Sequence, residues 1–112
     1  MITHLIIHQI TLPEEQDVEA FVEFMRNEYF PAVHKGPTRV GQVISLALLE
    51  SVPSTHKGTN TFFMHAGWSG LAGDRVGVDD AEVRRKFESF GARVERLGAY
   101  REVAIWPEAA EA

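Results

Sequence analysis

The spacing of apolar positions changes period along the chain, and each change marks a new element. Ile2-Thr3-His4-Leu5-Ile6-Ile7-His8-Gln9-Ile10 is rich in β-branched residues and apolar on both faces, which predicts an interior strand covered on two sides. Pro13 supplies a preset φ for a helix start, and Glu14, Glu15 and Asp17 place negative charge in the first turns. Val18, Phe21, Val22, Met25 and Tyr29 then recur at helical spacing, in a helix expected to end near Pro31 or within His34-Lys35-Gly36-Pro37. Residues 40–50 predict a second strand, in which Gln42, Ile44, Leu46 and Leu48 alternate with Val43, Ser45, Ala47 and Leu49. After a polar connection over 51–60, residues 61–68 predict a third. The glycine-bearing segment 69–78 matches no regular element and reads as a flap. Asp79, with Glu82 three residues on, resembles a capping box, and Val83, Phe87, Phe90, Val94 and Leu97 form an apolar seam. A second helix is therefore predicted over about 80–97, closed by Gly98, with a fourth strand over 100–106 and a frayed tail at 108–112.

The order β-α-β-β-α-β is the split arrangement of a ferredoxin-like α+β fold, with two helices on one face of a four-stranded antiparallel sheet. At 112 residues the chain has the size of one domain, placed at 1–107. The opposite sheet face is left over. Because the strands are apolar on both sides, that face predicts a partner surface, and the economical occupant is a twofold-related copy of the same chain. A homodimer through the open sheet face is the expectation.

Composition narrows the function classes. With 16 acidic against 11 basic side chains, the net charge of −5 repels phosphate backbones, so nucleic acid is not an expected partner. The absence of cysteine removes disulfides, thiolate zinc sites and a cysteine nucleophile. The opening strand lacks a basic leader and is too short and polar for a signal or a membrane span, so no membrane partner and a cytoplasmic location are expected.

Thr3-His4-Leu5-Ile6-Ile7-His8, the helix ending Tyr29-Phe30-Pro31, and Phe63-Met64-His65-Ala66-Gly67-Trp68 resemble the dimeric α+β barrel superfamily. That group holds stress-responsive A/B barrel proteins, antibiotic-biosynthesis and haem-degrading monooxygenases, muconolactone isomerases and polyketide cyclases. The resemblance spans almost the whole chain on short, loose motifs, and it implies a fold more than a reaction. It matches His4 to a barrel-lining histidine of the A/B barrel and cyclase branches, and Trp68 to a cavity-lining tryptophan of the monooxygenase branches. The further histidine that the cyclase and haem-degrading branches carry near helix two has no counterpart between 71 and 98, so neither activity transfers whole and no cofactor is expected.

His4 and His8 share one face of the first strand with Ile2, Ile6 and Ile10, but four residues at ~3.3 Å each separate them by about 13 Å, too far to ligate one metal together. Each is a candidate general base, because imidazole accepts a proton near neutral pH; the plainer reading is a hydrogen-bonded core histidine. Phe62, Met64, Ala66 and Trp68 share a face and, with His4, Ile6 and His8, predict a mostly apolar chamber between the two sheets of the dimer; Tyr29 is a further candidate ligand contact. Aromatics at such spacing are also ordinary core. By the same alternation His65 points the other way, toward the helices. His34 and His56 fall in polar loops and receive no role, Arg39 reads as a surface cation, and the charged run from Glu82 to Arg96 reads as a solvated helix face with a Glu82–Lys86 pair. The leading expectation is a cofactor-independent monooxygenase, cyclase or isomerase acting on a hydrophobic, aromatic or polyketide-like ligand, with His4 and His8 catalytic and Ile6, Phe62, Met64, Trp68 and Tyr29 against the ligand. The alternative is a non-catalytic dimeric binding or stress-related module.

Overall fold

A computed structural model describes residues 2–35, 41–51, 60–70 and 78–107. Strands β1 (His4–Leu12), β2 (Gly41–Glu50), β3 (Asn60–Gly70) and β4 (Arg93–Tyr100) form one antiparallel sheet in the order β2-β3-β1-β4. The helical connections lie on one side, giving the ferredoxin-like α+β fold. No helix among the described residues is long and apolar enough to cross a membrane. The predicted flap at 71–77, His56 and Arg39 lie outside the described residues.

β1 and β3 form the centre. Their register pairs His4 with Trp68, Ile6 with Ala66, His8 with Met64 and Ile10 with Phe62. Paired residues in an antiparallel ladder share a face, so the buried set Ile6, Ile10, Leu12, Phe62, Met64, Ala66 and Trp68 lies on a single side. That side carries the helices: Phe21 packs on Phe62 with ring centroids 5.4 Å apart and meets Phe90 edge-on at 5.2 Å. The chamber residues therefore lie beneath the helices of their own chain, not between two sheets. His65 is on the opposite, open face beside Ile7 and Ala47, which corrects its placement toward the helices. Alternation specified which residues share a face. It was silent on which face the helices cover, because both are apolar.

The first helical region is α1 (Val18–Phe24), a π-helical turn at Met25–Tyr29, and α2 (Phe30–His34). Asp17 caps α1 by accepting from the Ala20 N–H at 3.2 Å. Pro13 sits earlier, in a turn where its carbonyl accepts from Gln16, so it does not start the helix. The seam ends at His34 as expected, but that histidine is not an idle loop residue: its Nδ1–H donates to the Val43 carbonyl at 3.1 Å and ties α2 to β2.

The second predicted helix is corrected more heavily. Helix α3 spans Ala81–Ser89 and is capped by Asp80, one residue past the predicted Asp79. Asp80 accepts from the N–H groups of Glu82 and Val83 at 2.9 and 3.2 Å. Gly91, with φ +68, ends the helix where Gly98 was expected to. Val94 and Leu97 continue the helical spacing by coincidence and belong to β4, which supplies the outer edge of β1 with backbone partners. Of residues 100–106, predicted as the fourth strand, only Tyr100 is in the sheet, as the last residue of β4. Lys86 pairs with Glu28 across the helix layer at 2.7 Å instead of with Glu82; both side chains are exposed, so the pair adds little to stability.

Two irregularities set the details. On β2 the extra residue is Ile44, so that Val43, Leu46 and Leu48 all reach the helix face. On β4 the register slips by one residue between Ile7–Gly98 and His8–Arg96, leaving Leu97 unpaired. Gly98 follows it with φ +150, and a Cβ there would press on the Tyr100 ring at 3.3–3.5 Å. Gly98→Val is expected to lower unfolding stability by about 1–3 kcal/mol. Urea denaturation measures it, and a loss below about 0.5 kcal/mol would show that the bulge does not depend on glycine.

Candidate functional site

β1 begins at His4, just after Thr3, against the end of β3. His4 is only 8% exposed and Trp68 only 1%, with ring centroids 6.4 Å apart and tilted by 42°. Thr3 orients the histidine. Its Oγ1 lies 2.9 Å from His4 Nδ1, 3.0 Å from the Trp68 carbonyl oxygen and 3.2 Å from that of Gly70. Carbonyls only accept, so the single hydroxyl hydrogen goes to them, and the oxygen lone pair receives Nδ1–H. In that tautomer Nε2 is the bare acceptor.

That acceptor is buried and has no partner among the described residues, and the same holds for Trp68 Nε1 and His8 Nδ1. All three belong to side chains on the helix face of the β1–β3 pair. An unsatisfied buried polar group costs about 1–3 kcal/mol, so three in one row are a feature that calls for a partner. His4 also lines a cleft of about 630 Å³, together with Ile2, Thr3, Leu5, Arg101 and Glu102 at the end of the sheet.

His8 lies two pleats further along β1. Its pKa is pushed below the ordinary imidazole value, first by burial and then by the positive charge of Arg96, its cross-strand partner on β4.

The remaining sequence candidates separate. Ile6 is buried between the two histidines and Met64 opposite His8, both as apolar wall. Phe62 stands six residues from Trp68, about 20 Å along the strand, locked against Phe21, so the two aromatics do not line one small pocket. Tyr29, at the end of the π-helical turn, packs against Phe87 at 4.9 Å and Phe24 at 6.2 Å, and burial raises its pKa. It belongs to the helix–helix contact. Thr3 and Arg96 were not singled out from the sequence. A threonine preceding a histidine is a weak signal, and reading 80–97 as one helix turned Arg96 into a surface charge. Among the described residues no group of three or more His, Asp or Glu side chains is placed to hold a metal ion. Searches against protein-family models and curated proteins find no match to this chain.

The depressed titration of His8 has a defined sign. The unfolded chain binds this proton more readily than the folded one, so the contribution is fully present above the unfolded value near 6.5 and is lost as pH falls through the lower folded value. Relative to His8→Gln, the wild type is expected to lose more melting temperature on acidification below about pH 6.5. Superimposable pH profiles for the two proteins would refute this.

Proposed function

We propose that the protein is a small-molecule-binding dimer that holds a largely apolar ligand at the His4 end of the sheet, and that His4 acts there as a base. The observation that carries this is the pair of buried, unpartnered nitrogens, the His4 Nε2 acceptor beside the Trp68 Nε1–H donor. Apolar walls with a few directional polar groups are the usual make-up of a ligand site. A ligand with an acidic C–H next to a carbonyl satisfies both groups. The proton passes to Nε2, the electron pair stays on the ligand as an enolate, and the enolate oxygen accepts from Nε1–H. Such a step is common to isomerisation, cyclisation and cofactor-independent oxygenation of aromatic or polyketide-like compounds, the activities found in the dimeric α+β barrel superfamily that the sequence resembles.

A second copy of the chain is the proposed cover for the open sheet face. That face carries half-buried Leu5, Ile7 and Phe63 with exposed Leu49 and Tyr100. It runs on into residues 101–107, where Val103 and Trp106 are 86% and 91% exposed. An exposed apolar sheet face, followed in the chain by further exposed apolar side chains, fits an isologous interface. If the dimer alone is the function, the packed interior of Ile6 and Ala66 serves stability and the chain is a non-catalytic module.

A panel of aromatic ketones and phenols is expected to raise Tm by several degrees at about a hundred times Kd, roughly 2.7 kcal/mol. His4→Ala should abolish the shift while leaving the assembly intact. A flat response across the panel, or an undiminished shift in His4→Ala, would sink the binding proposal. Separately, Val103→Ser with Trp106→Ser is expected to weaken self-association roughly tenfold or more in sedimentation experiments. A wild type that sediments as a monomer at micromolar concentration would end the dimer proposal.

A further inference from the structure

We propose that His8 and Arg96 form an anion-recognising end of the ligand site, taking the carboxylate of an otherwise apolar molecule. This rests on the reading of a ligand chamber beneath the helices and adds the chemical class of the ligand's second end.

The two residues are cross-strand partners, His8 on β1 and Arg96 on β4, and the pairing exists because the strand register slips by one residue beside them. Without the slip, the alternation of β4 would place Leu97 opposite His8 and turn Arg96 to the other face. Bulges of this kind re-aim side chains, and here the effect is to set the exposed Arg96 opposite the half-buried His8, whose Nδ1 is shielded from solvent. His8 Nδ1 has no hydrogen-bond partner, and Arg96 has no carboxylate within ion-pair distance among the described residues. Lys86, by contrast, is paired with Glu28.

The neighbours of His8 are otherwise uncharged. Met64 opposes it from β3, the helix residues that reach the core are Phe21, Phe24, Met25, Val33 and Val83, and His4 lies two pleats away on its own strand. Two adjacent nitrogen groups, one fixed cation and one ring that protonates on demand, match a planar carboxylate, which accepts a charge-assisted bond from each. A single cation in a chain of net charge −5 favours a monoanion over a phosphate. With a carboxylate bound, the charged imidazole gains a partner, so the depressed His8 titration moves upward and binding takes up a proton.

The test uses the full chain, benzoate as the anionic probe and benzamide as its neutral counterpart, with chloride held constant. His8 ring signals are followed by NMR against pH, and affinities by calorimetry. Benzoate is expected to raise the His8 midpoint and benzamide to leave it in place, while Arg96→Gln weakens benzoate roughly tenfold and leaves benzamide unchanged. Arg96→Lys, which keeps the charge without the fork, should fall between them. Circular dichroism identifies any variant that does not fold. A His8 midpoint indifferent to benzoate, or an Arg96→Gln protein that binds benzoate like the wild type, overturns the proposal. If benzamide still binds in a manner lost in His4→Ala, the apolar chamber survives that failure. Benzoate binding that needs Arg96 but is untouched by His4→Ala would keep the anion site and remove the chamber.

Discussion

The β1–β3 ladder is the constraint on which the rest depends. Side chains alternate with a strict period of two, so a slip of one residue would carry Ile6, Ile10, Phe62 and Met64 from the helix layer to the open face. The observed register opposes His4 to Trp68 at one end and Ile10 to Phe62 at the other. At the second end, Phe21, Phe87, Phe90 and Phe62 interlock as an aromatic core joining both helices to the sheet. At the first end, the same ladder presents buried nitrogens instead of methyl groups. One strand pair thus divides a stabilising half from a half that gives up stability to hold polar groups ready.

Such a division accounts for where the local rules of the sequence break down. A buried indole N–H and one buried nitrogen on each of two imidazoles, without partners among the described residues, work against folding, and proteins retain such groups where a ligand completes them. Thr3 adds a directional element, because its hydroxyl is engaged by two carbonyls and holds the His4 ring in the tautomer whose bare nitrogen is Nε2. The register slip on β4 plays the corresponding part for His8, and Gly98 supplies the backbone conformation that the slip requires. In both cases a backbone device next to the histidine determines what its ring is able to do.

Much of the fold was legible in the residues. β1, β2, β3 and the seam from Val18 to Tyr29 follow from alternation and from helical spacing, and the capped start of α3 was placed within one residue. The end of α3 was not, because Val94 and Leu97 prolong a helical spacing that Gly91 has already stopped. His4 and Trp68 were named together and are neighbours. Phe62 and Tyr29 were named with them and lie in the aromatic core, because sharing a strand face or a helix end says nothing of distance along it.

By itself the sequence determined the element order and the sets of residues that share a face, since these rest on local periodicity and on residues that start and stop helices. Tertiary structure alone decided which apolar face lies under the helices and which strand closes the edge of β1. It also decided that Arg96 stands beside His8. Those outcomes depend on register and on long-range backbone pairing, and a chain whose strands are apolar on both sides carries no local signal that distinguishes one face from the other.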